Sequence, residues 1–119
     1  MRKDIYDKLI QTARSQGLVS YDELNSELNL GLDFGTDADR NRIGHWLGEI
    51  SEEEVKAGRH MLSALVGHKQ GDIVTDPGKG FYTLAKDLGV YDGSDKLSFW
   101  VKEVKWLHDY WLKHRGVAT

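Results

Sequence analysis

"LVGHKQGDIVTDPGKGFY", Leu65–Tyr82, is the stretch that decides the fold. It begins as an apolar run, meets a histidine and a lysine, and crosses a glycine-rich loop holding the chain's only proline. It closes on two aromatics. The run that opens it, "HMLSALVGHK", is too short for a helix between its flanking glycines and is expected to be a strand. "QGD" and "DPGKG" are turn signals, and Gly80 is expected to let the next strand approach closely. "FYTLAKDLG" is then expected to return as a strand and to become a short helix ending at Gly89. The whole reads as a two-stranded hairpin, a wing over about residues 60–82.

Helices are expected on both sides of this hairpin. From about Lys3 to Gln16, Ile5, Leu9 and Ala13 recur at helical spacing, and Gly17 is the expected left-handed stop. Ser20 with Glu23 is a capping box that opens a second, short helix carrying Leu24 and Leu28. After the loop "GLDFGTDAD", Thr36 or Asp37 caps a third helix whose buried stripe is Ile43, Trp46, Leu47 and Ile50. Ser51 with Glu54 repeats the capping-box pattern, so a new helical turn is expected at "SEEEVKAG". Its glutamates suit a helix N-terminus. Ser94 or Asp95 caps a last helix over about residues 95–114, with Leu97, Trp100, Val101, Val104, Leu107, His108 and Trp111 on one face. Phe99, Trp106 and Tyr110 form a second aromatic stripe on it. The expected fold is mainly α with a small β-hairpin, a winged helix-turn-helix with an added C-terminal helix in one domain over residues 1–119.

Composition narrows the function classes. A chain of 119 residues with 39% hydrophobic and 29% charged residues suits one ordinary globular core. It has no apolar run near bilayer-spanning length, so no membrane partner and a cytoplasmic location are expected. Absence of cysteine removes disulfides, thiol nucleophiles and cysteine-ligated zinc. The net charge of −3 is unlike that of a dedicated nucleic-acid binder.

"LVSYDEL", "RNRIGHWLG", "LSALVGHKQG" and "PGKGFY" together resemble the winged-helix domain of O6-alkylguanine-DNA alkyltransferases and alkyltransferase-like proteins, over roughly residues 18–82. Val19, Ser20 and Tyr21 match the order that opens that family's second helix. The resemblance implies that Tyr21 would press on a DNA phosphate during base flipping. The family's recognition-helix arginine falls on Asn41, between Arg40 and Arg42, while Ile43 and Gly44 match the branched apolar residue and the glycine of that helix. The Pro-Cys-His-Arg strand end of the family falls on Val66, Gly67, His68 and Lys69, so the nucleophilic cysteine is replaced by Gly67. Alkyl transfer of the family type has no thiol to use.

Arg40, Asn41, Arg42 and His45 are side chains suited to base edges, on the half of a third helix where readers sit. Against this, residues 37–80 hold eight acidic and six basic residues, and Arg40 can simply balance Asp37 and Asp39. Lys69 and Lys79 flank the loop and suit a phosphate backbone, or equally keep a hairpin edge soluble. His60, His68, Asp72 and Asp76 lack the compact spacing of a metal site, and no metal or other cofactor is expected. Ser63 with His60 or His68 lacks a nucleophile elbow, and "GDIVTDPGKG" lacks a P-loop ending. No enzyme is therefore expected. The leading expectation is a non-catalytic DNA-binding module using Tyr21, Arg40, Asn41, Arg42, His45, Lys69 and Lys79. The rival is a protein-interaction or dimerisation module, a small inhibitor or accessory factor, using Phe99, Trp106 and Tyr110.

Overall fold

The computed structural model describes residues 1–114. Among them the chain is mainly helical with a little β-structure. The order is α1 (Lys3–Arg14), β1 (Val19–Ser20), α2 (Tyr21–Glu27), α3 (Asp37–Lys56), a 3-10 turn (Leu62–Leu65), β2 (Val66–Gly67), β3 (Lys69–Gln70), β4 (Ile73–Val74), α4 (Lys79–Asp87) and α5 (Lys96–Lys113). β1 pairs with β2 in parallel, Val19 opposite Val66, and β3 pairs with β4 antiparallel, Lys69 opposite Val74.

The core is assembled around the 3-10 turn. Leu62, Ala64 and Leu65 lie at its centre, with Ile5, Leu9 and Ala13 of α1, Leu47 and Ile50 of α3, and Leu107 and Trp111 of α5 packed around them. Each fully buried aliphatic side chain of this kind contributes about 1.5–3 kcal/mol. Polar groups that the turn carries inward are satisfied. The Trp100 indole N–H donates to the Ala64 carbonyl at 2.8 Å. The hydroxyls of Ser51 and Ser63 bond each other at 2.6 Å, and the Ser63 N–H donates to Ser51 Oγ.

The caps are largely those expected. Ser20 and Glu23 form a complete capping box on α2, Thr36 caps α3, and Asp95 caps α5. The left-handed residue after α1 is Gln16 (φ 60°) rather than Gly17. Its side-chain amide compensates by donating to the Ala13 and His108 carbonyls.

Three sequence expectations need correction. Ser51 starts no new helix: α3 runs unbroken for 20 residues because Leu47, Ile50 and Glu54 continue one buried stripe across it. "HMLSALVGHK" is not one strand but a 3-10 turn followed by the two-residue β2. A segment buried on every side gives no periodicity that separates the two. "FYTLAKDLG" contains no return strand. The return strand is Ile73–Val74, and α4 begins at Lys79 with Gly78 as its N-cap. The antiparallel hairpin is therefore confined to residues 69–74, turning at Gly71 (φ 63°).

Candidate functional site

A groove of about 790 Å³ runs beside α3. Arg40, Asn41, Gly44, His45, Gly48, Glu49 and Glu52 line it from that helix. At about 1.5 Å per residue, Arg40 to Glu52 spans roughly 18 Å. Ile43 and Leu47 give it an apolar floor, continued by Phe81 and Leu84 of α4. Gly44 and Gly48 leave the α3 side flat, and a Cβ at Gly44 would meet nothing within 4 Å. The remaining wall comes from Tyr21 and Asp22 at the start of α2, Phe34 in the α2–α3 loop, His68, and Pro77, Gly78 and Gly80 around the start of α4.

Tyr21 stands at the meeting point of these walls. Its ring lies 5.0 Å from that of His68 and 6.4 Å, edge-on, from Phe34. Burial pushes its phenol above the ordinary tyrosine value, and the Gly78 backbone beside it pulls the other way. The sequence readings put Tyr21, Arg40, Asn41 and His45 into one list without indicating the cavity that all four line. They missed Phe34, Phe81 and Leu84 as its walls. His68, by contrast, was singled out in the sequence, and it lies in the wall beside Tyr21.

Arg40, Arg42 and Lys56 of α3 are each paired with a nearby acid. Arg40 is drawn back onto the loop, where Nη1 donates to the Phe34 carbonyl at 2.6 Å and Nη2 pairs with Asp37. Arg42 faces Asp39 at 3.7 Å, His45 faces Glu49 at 3.5 Å, and Lys56 faces Glu53 at 3.8 Å. Within the groove lining, Asp22, Glu49 and Glu52 oppose the single guanidinium of Arg40. Arg42 does not line the groove. Lys69 and Lys79 are exposed beside it, next to the lining residues His68 and Gly78, but they belong to different elements, β3 and α4.

Gly67 ends β2 at a tight spot. A Cβ there would stand 1.8 Å from the Thr75 carbonyl oxygen, so no side chain fits without moving the backbone. The close approach expected at Gly80 is found at Gly67 instead; at Gly80 a Cβ would meet nothing within 4 Å. Ser63 touches the groove, yet its hydroxyl bonds Ser51 rather than either histidine. His60 Nδ1 bonds the buried Glu103 carboxylate at 2.5 Å, and no group of three or more candidate metal ligands occurs among the described residues.

The aromatic stripe of α5 is half-buried by contacts within the chain. Phe99 packs on Tyr91 at 4.6 Å and on Phe81 at 6.0 Å. Trp106 lies stacked between His60 (4.1 Å) and Tyr110 (4.7 Å), and Tyr110 stacks on His114 at 3.9 Å. These rings make two separate intramolecular clusters instead of one open patch. No helix among the described residues is long and apolar enough to cross a membrane. No family model, curated protein or solved structure matches the chain.

Proposed function

We propose that this chain is a non-catalytic winged helix-turn-helix module that binds DNA. α2 and α3 are the helix-turn-helix, β3–β4 the wing, and α5 an added helix. The observation that carries the reading is the gathering of Tyr21, Arg40, Asn41 and His45 around one groove, with the exposed Lys69 and Lys79 beside its far wall. Asn41 and Arg40 offer hydrogen bonds to base edges, and Arg42, Lys69 and Lys79 offer charge to phosphates.

The ion pairs on α3 do not oppose this. Exposed pairs of this kind are worth about 0–1 kcal/mol, so exchanging Asp37 or Asp39 for a phosphate costs little. The carboxylates of Asp22, Glu49 and Glu52 keep phosphates at the groove's edge. The apolar floor is left for a base, which the resemblance to alkyltransferases implies would be flipped out by Tyr21. With glycine at position 67 the module would hold a base and leave it unaltered.

Fluorescence anisotropy with labelled duplexes over a range of salt tests the reading. Binding weakens steeply with salt; Arg42→Ala lowers the slope of log K against log salt by about 1, and adding Arg40→Ala weakens binding further and relaxes its sequence preference. Absence of binding to any duplex at low salt removes the reading. A protein-interaction role is favoured by a different observation, an exposed apolar strip on α5.

A further inference from the structure

α5 has two apolar faces, and only one is used by the core. Leu107 and Trp111 are fully buried against α1 and the 3-10 turn. A second strip carries Leu97, Val101 and Leu112, which are 59%, 51% and 46% exposed. Val104 and His108, both half-buried, complete it. With 3.6 residues per turn these five side chains fall within an arc of about 80°. Three of the six large hydrophobic side chains exposed among the described residues therefore lie along one line. A shallow hollow of about 280 Å³, lined by Gln16, Trp100, Val101 and Val104, runs beside it. A contiguous apolar strip of this kind marks a contact surface, unlike a scattered exposed leucine.

We propose that this strip joins two copies of the chain, with α5 packed antiparallel on α5 of the second copy. The argument for a second copy is self-complementarity. A two-fold axis between residues 106 and 107 sets Val101 beside Leu112 of the second copy and Val104 within a residue of its His108, each contact occurring twice. His108 is already held in place, because its Nε2 bonds the Gly17 carbonyl at 2.9 Å.

Charge selects the direction. Lys105 and Asp109 lie on the same flank of the strip, on the edge of the hollow. Antiparallel packing brings Lys105 to Asp109 of the second copy, again twice, whereas in a parallel pair the flanks that carry Lys105 and Asp109 lie on opposite sides of the seam and the two charges do not meet. Helices packed this way lie about 8–10 Å apart, within reach of both side chains. The surface differs from the expected one: Phe99, Trp106 and Tyr110 are half-buried in contacts within the chain, and the open strip lies on the opposite side of α5. The proposal does not depend on DNA binding.

Sedimentation equilibrium over the micromolar range tests it, with circular dichroism confirming that each variant is folded. The wild-type chain is expected to dimerise, and Val101→Lys to make it monomeric. Lys105→Asp and Asp109→Lys alone are each expected to weaken the dimer about tenfold, the combined swap restoring it. A wild-type monomer throughout overturns the proposal. So does a dimer unmoved by Val101→Lys, and a charge swap that fails to restore association overturns the antiparallel arrangement.

Discussion

Replacing Gly67 by alanine introduces a single methyl group, and the structure gives that methyl no room. Its carbon would lie 1.8 Å from the Thr75 carbonyl oxygen, 2.9 Å from the Thr75 carbonyl carbon and 3.0 Å from Val74 Cγ1. Reaching ordinary contact requires the Thr75 peptide to retreat by roughly 1.5–2 Å. Thr75 is anchored, because its N–H donates to the His68 carbonyl at 2.7 Å and its hydroxyl to the same oxygen at 3.0 Å. The other side is equally fixed, since Val66–Gly67 is paired with Val19–Ser20. Overpacking of this type costs about 1–3 kcal/mol. Loss of the two Thr75 hydrogen bonds adds about 1 kcal/mol each, for a total of roughly 3–5 kcal/mol. Urea unfolding followed by tryptophan fluorescence measures it, with the m-value checking that the transition stays two-state. Gly80→Ala is the internal control. It lies inside α4 with nothing near its Cβ, so it is expected to be neutral or stabilising by up to about 1 kcal/mol. A Gly67→Ala loss below about 1 kcal/mol would refute the steric argument. With it would fall the conclusion that a cysteine cannot be placed at this position.

Two further perturbations test the packing around the groove and core. Arg59→Met removes the partner of Glu54, which is 1% exposed and receives two Arg59 hydrogen bonds at 3.0 and 2.6 Å. A destabilisation of about 3–5 kcal/mol in thermal unfolding is expected, since the buried carboxylate loses its cation and keeps the long Tyr6 hydroxyl contact at 3.4 Å. The Glu23 carboxyl is held below its usual value of 4.5, chiefly by the Ser20 backbone N–H and then by the Ser20 hydroxyl. A depressed folded value means its stabilisation is present above about pH 4.5 and lost as pH falls through the folded value. Glu23→Gln is therefore expected to be less stable than wild type at neutral pH, with the two unfolding curves converging in acid.

Local signals with a single physical meaning were legible in the sequence. The capping box at Ser20 and Glu23 formed because Ser20 itself is extended, as an N-cap requires. The same pattern at Ser51 and Glu54 failed because the buried stripe of α3 runs straight through it. Ser51 turned its hydroxyl to Ser63, and Glu54 turned its carboxylate to Arg59. Neither partner is predictable from local spacing. The centre of the fold was least legible, since Met61–Val66 is buried on all sides and carries no alternation. The groove shows the same limit: α3 supplied a readable list of polar residues, but Phe34, Phe81 and Leu84 become its walls only through tertiary packing. On α5 the pattern showed surplus apolar side chains, and contacts with His60 and Tyr91 decided which stripe stayed open.

The parallel β1–β2 ladder is only two residues long, yet it joins positions 47 apart in the chain, Val19 to Val66. All of α2, α3 and the 3-10 turn lie inside the loop that it closes. Closing a loop costs entropy that grows only slowly with length, about 0.6 kcal/mol for each doubling. The number of residues between α2 and α3 therefore weighs little in the free energy. The meeting point itself is unforgiving, because at Gly67 the ladder and the Thr75 strand end leave no space for a side chain. Evolutionary drift in this fold would accordingly be free in loop length and confined at the clasp.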